Sequence, residues 1–145
     1  MQLGDTADIL AKQNLAAPFY GWNLHVSDFG GVGVFIGRPA DGSATPLGTS
    51  LVTAAAYDDL LPHVFALVLD RDADTMHLFT ERESLGPASL SDIVSQPSAE
   101  PMRLGRTFAD SEFVRRVATG EVAYVAIFDA ALTPSQIGHF WSLAE

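Results

Sequence analysis

Gly120-Glu121-Val122-Ala123-Tyr124-Val125-Ala126-Ile127-Phe128, followed by Asp129-Ala130-Ala131-Leu132-Thr133-Pro134-Ser135-Gln136-Ile137, reads as a strand, a turn and a capped helix. Alternation puts Val122, Tyr124, Ala126 and Phe128 on one face and Ala123, Val125 and Ile127 on the other. Both sets are apolar, so the spacing predicts a strand buried on both sides, as in the middle of a sandwich. Thr133 is placed as the N-cap, with Pro134 at the first helical position and Gln136 reaching back from the third. Leu132 then packs on Ile137 as a hydrophobic staple. Ile137, Phe140, Trp141 and Ala144 follow at helical spacing, so one apolar stripe faces the sheet.

Outward from this ending, further strands are expected at 19–26, 32–36, 50–54, 63–70, 76–80 and 102–105, with 121–128 closing the set. They are short and punctuated by Gly, Pro, Asp and Ser, the pattern of an all-β chain. In the first, Trp22, Leu24 and Val26 share a face while Asn23, His25 and Ser27 share the other, which predicts a sheet with one wetter side. Residues 84–101 hold Gly86, Pro87, Pro97 and Pro101 among Ser and Ala, and read as a long loop. Strands on both sides of it are needed for one sandwich, so residues 1–145 form a single domain, an antiparallel β-sandwich of the jelly-roll kind with a short C-terminal helix.

The order of several short motifs resembles the laminin G-like, concanavalin A-like lectin and glucanase domains. Ile9-Leu10-Ala11-Lys12 and Gly21-Trp22-Asn23-Leu24-His25-Val26 are similar to two early strands of that family. The run from Tyr57-Asp58-Asp59 through Pro62-His63-Val64-Phe65-Ala66-Leu67-Val68-Leu69-Asp70 resembles its central strand, with Pro62 where Trp is common. Leu104-Gly105-Arg106 and the C-terminal strand and helix complete the series. Two features depart from it. Met76-His77-Leu78-Phe79-Thr80-Glu81-Arg82-Glu83 carries charge where the family has an Asn/Asp-Gly turn, and only Met1 to Asp8 precede the first motif, where the family has further strands. The chain thus reads as a jelly roll without its opening strands: a fragment, a reduced fold, or a fold completed by another chain at an open sheet edge.

Composition excludes several function classes. A domain of 145 residues buries roughly 70% of its unfolded surface, enough for a core without staples. The chain has no Cys, so neither disulfides nor thiolate metal sites enter. No apolar run approaches the ~20 residues of a membrane span, and Met1-Gln2-Leu3-Gly4-Asp5-Thr6-Ala7-Asp8 lacks the basic flank of a signal peptide. A formal charge of −10 argues against nucleic acid and anionic membranes as partners, since both require clustered Lys or Arg. Arg103, Arg106, Arg115 and Arg116 gather only as surface charges of one connecting region.

Each motif that could carry chemistry has a plainer structural use. Gly30-Gly31-Val32-Gly33 is followed by no helix start, so it reads as a glycine-rich hairpin and not a phosphate loop. Asp70, Asp72, Asp74 and Glu81 have the spacing of a calcium loop. Thr75 stands where such a loop needs Gly, however, and the alternation of 76–80 carries Glu81 away, which leaves Asp70, Asp72 and Asp74 as a weaker calcium candidate beside an acidic hairpin turn. His25, His63, His77 and His139 show no metal-site spacing, and His63 is expected to be structural. No Gly-x-Ser-x-Gly elbow occurs, and Glu81-Arg82-Glu83 is the nearest approach to paired glycosidase carboxylates. Sugar-binding rings would come from Tyr20 and Tyr57, with Arg103 and Arg106 as hydrogen-bond donors, because Trp22 and Trp141 fall on core faces.

The expectation is therefore a non-catalytic structural or recognition module with no cofactor, serving as an accessory or decoration-type subunit of a larger assembly such as a virion or cell-surface structure. Other protein subunits, in a homo- or hetero-oligomer, are its expected partners. The alternatives are a self-folding glycan-binding domain, as the resemblance implies, and a degenerate glycoside hydrolase using Glu81 or Glu83.

Overall fold

The computed structural model describes residues 7–13, 21–27, 29–38, 47–93, 101–105 and 121–142. Eight strands and one helix occur among them: β1 (Ala7–Gln13), β2 (Gly21–Val26), β3 (Gly31–Arg38), β4 (Leu47–Ala56), β5 (Phe65–Asp70), β6 (Thr75–Thr80), β7 (Ser84–Ser89), β8 (Arg103–Leu104) and α1 (Pro134–Trp141). All pairings are antiparallel, in a five-stranded sheet of order β4-β3-β2-β1-β8 and a three-stranded sheet of order β5-β6-β7. The chain is an all-β antiparallel sandwich with a short C-terminal helix, as the punctuated alternation predicts.

Strand alternation builds the interior. Trp22 pairs with Ile36, Leu24 with Val34 and Val26 with Val32 across β2 and β3, so these residues share the inner face of the larger sheet. Val32, Val34 and Ile36 meet Met76 and Leu78 of β6, and Leu51, Phe65, Leu67 and Leu69 pack around them. The glycine-rich turn is the β2–β3 hairpin: Gly30, at φ 82°, donates to the Ser27 carbonyl at 3.0 Å, and Ser27 donates to Gly31 at 2.7 Å. A register shift between Gly31 and Gly33 would leave backbone groups unpaired. The buried Thr53 hydroxyl fills the gap, accepting from the Val32 amide and donating to the Ala55 carbonyl, both at 2.9 Å.

The smaller sheet is covered on both faces. Behind it, Val68 and Phe79 pack on Ile137 of α1, with Ala66, Leu132 and Trp141 around them. The helix start matches its sequence in detail. The Thr133 side chain accepts from the Gln136 amide, the Gln136 side chain accepts from the Thr133 amide, and Pro134 opens the first turn. Leu132 and Ile137 meet in the same cluster, as a staple requires.

Two sequence expectations are corrected. Residues 121–128 join neither sheet, and Val122, Tyr124, Val125, Ile127 and Phe128 are exposed. Their alternation reflects strand propensity, but propensity forms a strand only where a neighbouring edge supplies partners. Residues 84–89, read as part of a loop, are β7. Gly86 and Pro87 are poor ladder residues, yet β7 lies at a sheet edge, where Pro is tolerated. They form a bulge: Met76 pairs with Ala88 and Leu78 with Leu85, so the two residues between face His77 alone. Leu90 and Ile93, beyond β7, join the core.

Gly86 has φ +113°, and a Cβ there would lie 2.6 Å from the Met76 carbonyl oxygen. Gly86→Ala is expected to cost about 1–3 kcal/mol, since positive φ and a backbone clash act together. Urea unfolding would read this as a lower midpoint at constant slope; an unchanged midpoint would mean that the bulge is not held as described.

Candidate functional site

The densest polar network among the described residues lies at one rim of the sandwich, where the β4–β5 connection (57–64) meets the β6–β7 turn (81–83). Its base is aromatic. The Tyr57 ring, only 8% exposed, meets His63 and Phe65 edge-on at centroid distances of 5.0 and 5.2 Å. Tyr57 Oη and Thr80 Oγ1 hydrogen-bond at 2.5 Å, and the Arg82 guanidinium lies over the Tyr57 ring at 5.0 Å. Burial pushes the Tyr57 phenol up from its ordinary value, against the Thr80 hydrogen bond.

Charged groups tie the two segments across this base. Each ring nitrogen of the buried His63 side chain faces a carboxylate: Nε2 lies 2.6 Å from Asp59 Oδ1 and Nδ1 lies 2.5 Å from Glu81 Oε1. Ionised carboxylates only accept, so each of these bonds needs an N–H on the ring nitrogen that faces the carboxylate. Arg82 donates to Asp59 Oδ2 at 2.6 Å and to the Ala56 carbonyl at 2.8 Å. Asp59 also accepts from the Leu61 amide at 3.1 Å. The Arg82 hydrogen bond first, then those from His63 and Leu61, hold the Asp59 carboxyl well below the usual carboxylate range. The same contact raises Arg82 above its ordinary value.

The turn itself is sequence-local. Thr80 Oγ1 accepts from the amides of Arg82 and Glu83 at 3.1 and 2.8 Å, doing the work expected of an Asn/Asp-Gly turn. Glu83 reaches across the sandwich and accepts from the backbone amides of Ala54 and Ala55 on β4, at 3.1 and 2.5 Å. Glu81 and Glu83, the pair nearest a glycosidase pattern, thus serve different partners, one a histidine and the other a strand edge.

At the tip of the pinned loop stand Leu60 and Leu61. Leu60 is 99% exposed and adopts a left-handed backbone, φ 64°, which a residue with a Cβ takes at a cost of about 1–2 kcal/mol. The loop is therefore rigid at its base and apolar at its apex. Sequence reading missed this role: its signals are Asp59 and His63 four residues apart and two adjacent leucines before Pro62 in an acidic run.

The residues singled out from sequence are not brought together. Tyr57 is buried, so its ring faces are not offered to a sugar. Arg103 lies on β8 in the other sheet, half-buried. Tyr20 and Arg106 lie outside the described residues. Asp70 caps the β5–β6 turn, accepting from the amides of Asp72 and Ala73 at 3.0 Å each, and Asp74 lies 4.0 Å from Arg71. Among the described residues no group of three His, Cys, Asp or Glu side chains is arranged to hold a metal ion. A second polar chain runs along the outer face of the larger sheet: Asn23 donates to the buried Asp8 at 2.9 Å, and His25 Nδ1 lies 3.2 Å from Asn23 Oδ1. Burial lowers the His25 pKa, which favours the neutral ring.

Both groups make stability depend on pH in separable windows. The depressed folded pKa of Asp59 means that its contribution is complete above the unfolded value of about 3.9 and is lost as pH falls below it. With 34% of that side chain exposed, salt should weaken the effect. Asp59→Asn is therefore expected to flatten the fall of Tm below pH 4; parallel wild-type and variant curves would count against the clamp. For His25 the unfolded ring takes up a proton more readily than the folded one, so stability should begin to decline as pH falls below about 6.5. His25→Gln should remove that upper slope and leave the Asp59 slope in place.

No family model matches the chain. No curated protein matches it either. A solved structure, of an S-layer domain-containing protein from Clostridium thermocellum, is similar at 17% identity and a TM-score of 0.46, over 99% of this chain and 64% of that one.

Proposed function

We propose that this chain is a non-catalytic structural module that docks into a larger assembly, such as a cell-surface structure or a virion, through protein contacts at its rim and open side. The observation that carries this reading is the one-sided closure of the sandwich. Where β4 and β7 run together, Thr49 donates to the Ser89 carbonyl at 3.1 Å and Glu83 occupies the amides of Ala54 and Ala55. On the opposite side, among the described residues, no strand pairs with the outer edges of β5 and β8. Large apolar side chains are exposed at Met102, Leu104 and along the 121–128 segment, and at Leu60 and Leu61 of the rim. Such surface favours burial against protein.

The laminin G-like resemblance of the sequence agrees with recognition through rim loops. No helix among the described residues is long and apolar enough to cross a membrane. Static light scattering of the isolated chain at several concentrations, with and without calcium, tests the reading. A closed oligomer whose mass does not respond to calcium is the expected result. A monodisperse monomer at every concentration would overturn self-assembly and turn attention to a self-folding, ligand-binding domain.

A further inference from the structure

The segment 121–128 and the outer edge of β5 are complementary, and neither has a partner strand among the described residues. We propose that 121–128 is a docking strand that pairs with the β5 edge of a second copy of this chain, each copy donating its segment to the other. The proposal rests on the assembly reading above and names the strands that make the contact.

The faces of the two strands match. β5 is packed on both sides, with the half-buried Phe65, Leu67 and Leu69 turned to the sandwich interior and Ala66 and Val68 turned to α1. A strand added at its edge must therefore be apolar on both faces. Residues 122–128 have that pattern: Val122, Tyr124, Ala126 and Phe128 on one face, Ala123, Val125 and Ile127 on the other. Neither 122–128 nor 65–69 contains a charged residue, so the seam brings no like charges together in a chain of formal charge −10. Lengths agree too, since 121–128 spans all six residues of β5.

The β5 edge also lacks the protection that the β4 and β7 edges have. Exposed strand edges are normally guarded by charge, Pro or a bulge. The β4 edge is capped by Glu83, and the β7 edge carries the Gly86-Pro87 bulge. β5 has no such device between Phe65 and Leu69.

A second copy is the source of the strand that fits the observed arrangement. Only 129–133 separate the segment from α1, which packs on the back of β5, and Phe128 touches Phe140 at 5.6 Å. Pairing within the chain would therefore have every advantage of proximity, yet among the described residues the segment has no partner strand, with Tyr124 at 76% and Ile127 at 62% exposure. Reciprocal donation between two copies pairs both edges at once and closes with two-fold symmetry. The four exposed aromatic rings of two copies would bury roughly 500 Å², scaled from ~200 Å² for a whole ring. With Val122, Val125, Ile127 and two strand backbones added, the contact approaches the ~1,200 Å² at which stable interfaces begin.

Light scattering and amide hydrogen exchange on the full chain, with Val125→Pro and Ile127→Asp as variants, test the proposal. The wild type is expected to form a dimer in which amides of 121–128 and 65–70 are protected together. Both variants should weaken dimerisation at least tenfold while keeping the wild-type unfolding midpoint extrapolated to low concentration, because the segment lies outside the core. A wild-type oligomer that both variants leave intact would overturn the strand assignment and leave the assembly reading standing. A monomeric wild type would overturn both, and protection of 121–128 in that monomer would identify pairing within the chain.

Discussion

The central constraint is the alternation of β6, the middle strand of the smaller sheet. Met76 and Leu78 turn inward with 0% exposure and meet Val32, Val34 and Ile36 of the larger sheet. Phe79 turns outward, where Ile137 of α1 covers it. One six-residue strand thus joins both layers of core, and a shift of register by a single residue would exchange its two faces. The capped helix, the inner faces of β2 and β3 and the two hairpins flanking β6 all depend on that register.

The β6–β7 turn extends this constraint to the rim. Three consecutive charged residues take three directions: Glu81 to His63, Arg82 to Asp59 and the Tyr57 ring, and Glu83 to the amides of β4. Thr80 fixes the turn by accepting two of its amides. The candidate site and the closed side of the sandwich therefore share one turn, whose position is set by β6. The partly exposed ion pairs contribute little individually in water. Their joint effect is to hold the 57–64 loop in one conformation, which lowers the entropy cost of any contact its tip makes.

What could be read from sequence follows from how local each signal is. The Thr133-Pro134-Gln136 start of α1 is encoded within four residues, and the structure reproduces each contact. The inner face of β2 and the β2–β3 hairpin were legible for the same reason, since alternation and a glycine turn are short-range features. β7 was not, because Gly86 and Pro87 contradict a strand locally and are accommodated only by an edge position and a bulge against His77. The rim network was legible only in part. His63 could be placed as structural, but Asp59 and Arg82 are 23 residues apart, and no local pattern announces their contact.

Local rule and observed structure conflict at two places, and in opposite senses. Leu60 occupies a left-handed conformation that its side chain disfavours, held there by a network that gains nothing from the leucine being exposed. Residues 121–128 have the alternation of a buried strand and yet remain outside both sheets. In a sequence shaped only for stability, a glycine at position 60 and polar residues along 121–128 would remove both conflicts. Inconsistency of this kind concentrates where a surface is kept for something other than folding. Both sites are apolar and lie on a strongly acidic chain, and both are surfaces that the proposed docking would cover.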